Sequence, residues 1–144
     1  KNLSSVLFFL IMLTCQVGFG QQGTAELESA MILAAKDNDY KEASAYAFEI
    51  ANRYWGAKQQ EKALDFLDKC ISYSRKGNEQ NILFLAYQQQ GLIYRSGKNF
   101  SKASDAYEKS VKAARMLPNS NYLKESLINA AFKTLSAIVL VARR

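Results

Sequence analysis

The side chains able to do covalent or acid–base chemistry are few in this chain and stand apart. Histidine is missing, and there are only two cysteines, Cys15 and Cys70. A cysteine nucleophile needs a base or a cationic neighbour to hold it as thiolate. Cys70 has no imidazole to serve it, and its place in a helical stripe suits a small apolar core residue. Carboxylate pairs such as Glu26 with Glu28, or Asp65 with Asp68, read as solvated helix faces. There is no H-E-x-x-H, no phosphate-cradling glycine loop and no G-x-S-x-G elbow. An Asp/Asn-rich calcium loop is also missing. The chemistry expected is therefore recognition: a non-enzymatic protein with no cofactor and no metal.

The elements that would position a binding surface are helices. Apolar residues recur at helical spacing and not in period two. A first helix is expected over 24–35, with Thr24 as its cap and Glu26 and Glu28 in its first turn. A second follows from Tyr40 to about Trp55, with Ala43, Ala47, Ile50, Ala51 and Tyr54 on one stripe and Gly56 as its stop. The third, about 59–74, carries Ala63, Phe66, Leu67, Cys70 and Ile71, and Gly77-Asn78 breaks it. The fourth runs from Glu79 or Gln80 to Gly97, the fifth from Ser101 to about Met116, and the sixth from Asn121 to Val141. Hydrophobic content of 49% in 144 residues, with one proline and seven glycines, fits one all-α domain of about six helices.

At an offset of forty the chain matches itself. Tyr54 aligns with Tyr94, Lys62 with Lys102, Ala63 with Ala103, Asp65 with Asp105, Lys69 with Lys109 and Arg75 with Arg115. Ala51 falls under Gly91, Leu67 under Tyr107 and Cys70 under Ser110. This divides the chain into units of about 40–78 and 79–118, then a half unit over 121–141. The run from Asn38 to Ala43 also reads as the start of a second helix, which would offset the pairing by one helix.

The stretch from Tyr87 to Pro118 resembles a tetratricopeptide repeat. That family's pattern of W-x2-L-G-x2-Y, A-x3-F and a late Pro is met by Tyr87, Gln90, Gly91, Tyr94, Ala103, Tyr107 and Pro118. Small residues at Gly91 and Ala103 let two helices approach, with rings filling the space beside them. The resemblance covers roughly Tyr40 to Val141, with units longer than the family's usual 34 residues. It implies a right-handed superhelix of antiparallel helix pairs, an α-solenoid, that binds a protein or peptide ligand in a groove lined by each first helix. Carried onto this sequence, the groove positions are Phe48, Asn52 and Trp55 in the second helix. They continue with Gln88, Leu92 and Arg95 in the fourth and Glu125, Ile128 and Phe132 in the sixth.

Residues 1–20 read differently. Lys1, the apolar run Val6 to Leu13 and small residues at Gly18 and Gly20 make a secretory signal peptide, cut after Gly20 to leave 21–144. An uncleaved membrane anchor is the alternative, although the run is shorter than the roughly 20 residues a span needs. Lipidation at Cys15 is a third reading, from which Thr14 departs. Export implies a periplasmic or secreted protein, or one anchored to the membrane and facing the periplasm. Cleavage leaves Cys70 alone, without a partner for an intramolecular disulfide.

The net charge of +6 and pI near 9.3 come from bases interleaved with acids, so nucleic acid is not the expected partner. The apolar sixth helix, with Ile128, Phe132, Leu135, Ile138, Leu140 and Val141, implies self-association or further repeats against that face. The alternative function is the N-terminal extracytoplasmic sensory region of a longer bacterial signalling protein, with a histidine kinase or transcriptional regulator as output.

Overall fold

The structure, a computed structural model, describes residues 23–118, 121–125 and 127–131. Helix α1 occupies 23–36, followed by α2 (Tyr40–Gly56), α3 (Gln60–Lys76), α4 (Gln80–Ser96) and α5 (Phe100–Ala114). Helix α6 is described over 121–125 and 127–131. Among the described residues every regular element is helical. The proposed signal peptide and the end of the sixth helix lie outside them.

One turn is used four times. Each connection between α1 and α5 has three residues, and its middle residue is left-handed: Asn38, Lys58, Asn78 and Lys98, with φ of 62, 60, 55 and 59°. In each turn the amide after that residue donates to a carbonyl five residues back. The bonds are Asp39 to Ala34 (2.9 Å), Gln59 to Tyr54 (2.9 Å), Glu79 to Ser74 (2.8 Å) and Asn99 to Tyr94 (2.8 Å). The left-handed residue itself donates three residues back, completing a Schellman motif that ends one helix as the next begins. Since α2, α3 and α4 all have 17 residues, this turn recurs every twenty. Gly56, Gly77 and Gly97 mark the breaks as expected, but none is the left-handed residue. The start of α5 also differs from expectation. Asn99 caps it, accepting from the Lys102 amide at 3.2 Å, and Ser101 already lies within the helix. Thr24 likewise sits inside α1 and is buried.

The helices pack in adjacent pairs, an all-α, solenoid-like arrangement. Helix α2 lies chiefly against α3, and α4 against α5, while α3 meets α4 between the pairs. Alanines at 43, 47 and 51 on α2 and at 63 on α3 are wholly buried, leaving Ile50, Leu67 and Cys70 to fill the centre. Tyr54 stacks on Phe66 (5.4 Å between centroids), and Tyr40 on Tyr73 (6.4 Å). In the second pair Gly91 is buried against Tyr107; a β-carbon there would lie 2.6 Å from Cδ1 and 2.8 Å from Cζ of the ring. The repeat also shows at the surface. Lys62 covers the Tyr54 ring at 5.2 Å, and Lys102 covers Tyr94 at 5.5 Å.

The two outer helices join this framework at its two ends. Helix α1 contributes buried Met31 to the core, and its Glu28 accepts from the Tyr54 hydroxyl at 3.1 Å. Helix α6 meets α4 twice. Tyr122 packs edge-on against Phe84 at 5.2 Å, and Asn129 donates to Gln88 Oε1 at 2.8 Å.

Candidate binding groove

The residues expected to line a groove fall on three helices. Helix α2 touches α4 directly, as well as through α3, and α6 lies on α4 through the Phe84–Tyr122 and Gln88–Asn129 contacts. Helices α2, α4 and α6 are therefore successive neighbours. Phe48, Asn52 and Trp55 have the spacing i, i+4, i+7, which aligns side chains along one face of α2. That face is offset from the buried stripe of Ala43, Ala47, Ile50 and Ala51. All three are half-buried, and Phe48 and Trp55 pack against the core. On α4 the corresponding row is Gln88, Leu92 and Arg95, again half-buried.

The structure adds a residue to that row. Leu85 precedes Gln88 by one helical turn and is 41% exposed, a large apolar side chain on the side of α4 away from its core contacts. Its signal was the same i, i+3 spacing, but Leu83, Phe84 and Leu85 form a continuous apolar run, and period alone does not say which of them faces outward. Gln88 is more engaged than the sequence implied. Its Oε1 accepts from Asn129, and its buried Nε2 finds no acceptor among the described residues. On α6, Glu125 is exposed and Ile128 is 73% exposed, whereas Phe132 lies outside the described residues. Leu127, also on α6, is 47% exposed.

The electrostatics carry little chemistry of the catalytic kind. Cys70 is fully enclosed 4.0 Å from the Ser74 hydroxyl; burial pushes its thiol up to about 12, with the Ser74 contact opposing. A thiol so held is a core group and not a nucleophile. Burial also raises the phenols of Tyr54, Tyr94 and Tyr107; a carboxylate adds to this at Tyr54 (Glu28) and Tyr94 (Asp68). The described ion pairs, Arg53–Glu49 and Lys109–Asp105, are surface pairs one helical turn apart. Among the described residues no three Asp, Glu or Cys side chains gather as a metal-binding set. No described helix is long and apolar enough to cross a membrane.

Comparison with family models, curated proteins and solved structures finds no match to this chain.

Proposed function

We propose that this protein is a non-enzymatic scaffold, working outside the cytoplasm, that binds a protein or peptide in the groove of α2, α4 and α6. The observation that carries the reading is the pair of parallel rows, Phe48–Asn52–Trp55 on α2 and Leu85–Gln88–Leu92–Arg95 on α4. They lie on helices in direct contact, and their side chains are neither buried nor fully solvated. Tryptophan and arginine are the types enriched at interface hot spots. Trp55 and Arg95 hold equivalent places in the two units. The tetratricopeptide resemblance supports the same face, and the leader over 1–20 supports export.

Trp55 is the only tryptophan, so its fluorescence reports on the groove without a label. Peptides selected by display on the full chain are expected to shift that emission on binding. Trp55→Ala and Arg95→Ala are each expected to weaken the same peptides about tenfold or more, read by calorimetry because the first variant removes the fluorophore. Selected peptides that bind both variants as well as the parent, with helicity unchanged, would refute the groove.

A second reading has its own observation. Leu127 and Ile128 stand exposed on α6, which suits docking of another helix and a role as the sensory region of a longer signalling protein. Cross-linking from cysteines placed at 127 and 128 tests it: a specific cross-link to another helix supports it, and none removes it.

A further inference from the structure

The packing of α3, α4 and α5 leaves a cleft of about 490 Å³, within the size range of small-ligand sites. Its walls include Asp68, Arg75 and Lys76 of α3, Tyr87 and Gln90 of α4, and Lys109 of α5. None of these belongs to the groove rows, so a second face of α4 is involved.

The polar groups here are organised. Arg75 Nη2 donates to the Tyr87 hydroxyl at 2.6 Å, and Gln90 Nε2 donates to Asp68 Oδ1 at 2.6 Å. Tyr87 and Gln90 are themselves buried, at 5% and 7% exposure. The Lys109 ammonium bonds Asp105 at 2.6 Å and lies close enough to Arg75 and Tyr87 to feel both.

The preceding repeat supplies an internal control. Forty residues earlier the positions of Arg75, Tyr87 and Gln90 hold Ala35, Ala47 and Ile50. Ala47 and Ile50 are completely buried there, so the same helix packing forms with no guanidinium, phenol or amide at these points. The outer charges are present in both repeats, since Glu28, Lys36 and Lys69 stand where Asp68, Lys76 and Lys109 do. What distinguishes the α3–α4–α5 cleft is a polar floor that the scaffold does not require. Replacing a buried isoleucine by an amide forfeits apolar burial worth roughly 1.5–3 kcal/mol. Local rules broken in this way mark functional sites.

The chemistry of the walls names the ligand class. The lining carries three cations and one carboxylate; that carboxylate is engaged by Gln90, and of the cations Lys109 is also paired with Asp105, while Arg75 is bonded to the Tyr87 phenol. A guanidinium held in place by a phenol presents its remaining N–H groups in a fork that suits carboxylate or phosphate oxygens. We infer that the α3–α4–α5 cleft binds a small organic anion through carboxylate or phosphate oxygens. Arg75 and Lys109 are its charged contacts, and Tyr87 orients the guanidinium.

Isothermal titration of the full chain with inorganic phosphate, glycerol 3-phosphate, succinate and citrate tests this. One-to-one, saturable binding of at least one probe is expected, and its identity separates phosphate from carboxylate ligands. Arg75→Ala is expected to weaken that probe by roughly tenfold or more, the worth of a charge-assisted hydrogen bond. The triple variant Arg75→Ala/Tyr87→Ala/Gln90→Ile installs the residues of the preceding repeat, so it is expected to stay folded and to lose binding. Lys58→Gly removes a positive charge 17 residues before Arg75, roughly 25 Å away along α3, and is expected to bind as the parent does. The inference is overturned if no probe saturates, if Arg75→Ala binds unchanged, or if Lys58→Gly loses as much as Arg75→Ala. Groove peptides are expected to bind the triple variant normally, so failure here and failure of the groove are told apart.

Discussion

The first helix pair, α2–α3, and the second, α4–α5, share a backbone and fill it by different means. Where the first sets Ala51 on α2 and Leu67 on α3, the second sets Gly91 and Tyr107. The Tyr107 ring takes the space that the Ala51 methyl occupies one unit earlier, and all four residues are buried. Wholly buried Ile50 becomes Gln90, bonded to Asp68, and Cys70 becomes Ser110, whose hydroxyl donates to the Tyr107 carbonyl at 2.7 Å. The surface contact of lysine on tyrosine persists in both. Turn geometry and shape complementarity hold this repeat together, and residue type is free to drift wherever volume can be made up by a neighbour.

The largest effect expected from breaking that equivalence appears at high pH. The buried thiol of Cys70 stays protonated up to about 12, against an ordinary value of 9.0, because of its burial. Its folded value is raised, so its contribution is complete below pH 9 and is lost as pH climbs from 9 toward 12. Over that window the unfolded chain releases a proton that the folded chain keeps, and stability falls by about 1.4 kcal/mol per pH unit, on the order of 4 kcal/mol in all. Cys70→Ser copies the second unit and is expected to remove the thiol's share of that slope, leaving the share of the raised phenols Tyr54, Tyr94 and Tyr107. Urea unfolding of both proteins from pH 8 to 11 reads it, and parallel slopes would count against it.

Next in size is the helix contact. Gly91→Ala is expected to cost about 1–3 kcal/mol from overpacking against Tyr107, despite alanine's better helix propensity of about 1 kcal/mol. Adding Tyr107→Leu recreates the first unit and is expected to recover most of the loss. A single Gly91→Ala variant more stable than the parent would break the comparison.

Smaller still are the turns. Lys58 and Lys98 hold left-handed φ values that cost a residue with a β-carbon roughly 1–2 kcal/mol. Lys58→Gly or Lys98→Gly is expected to raise stability by about 1 kcal/mol, with a smaller gain at Asn38 or Asn78, because asparagine tolerates this region. Finally, Asp39 and Asn99 cap their helices by side chain, whereas Gln59 does not. Gln59→Asp is expected to add about 0.5–1 kcal/mol, measured as a rise in the unfolding midpoint at constant m-value.

Much of this arrangement was legible in the residues. The breaks at Gly56, Gly77 and Gly97, the stripes on α2 and α3, and the Gly91–Tyr107 contact follow from periodicity and side-chain size. The twenty-residue cadence was hidden, because successive turns alternate Asn and Lys at the left-handed position and so match only at forty. Glycine misleads in the same way, because Gly56, Gly77 and Gly97 sit one or two residues before the position where its freedom is most useful. The bond from Gln90 to Asp68 joins residues 22 apart on different helices, a distance over which a single sequence carries no pairing signal. For the same reason the polar cleft stayed unseen, since its residues read one at a time as pattern position, exposed charge and helix end.

The uniform three-residue turn also bears on how the chain acquires its structure. Helices α2 to α5 each find their main partner immediately before or after them, so loop closure costs little entropy there, and the α2–α4 and α4–α6 contacts reach across an intervening helix. Such low contact order favours rapid folding, and growth can start at any helix pair and spread outward. Hydrogen exchange is then expected to be slowest in the amides of α3 and α4, which have helices on both sides. Protection falls toward α1 and α6, so the molecule opens from its ends inward while its middle is still closed.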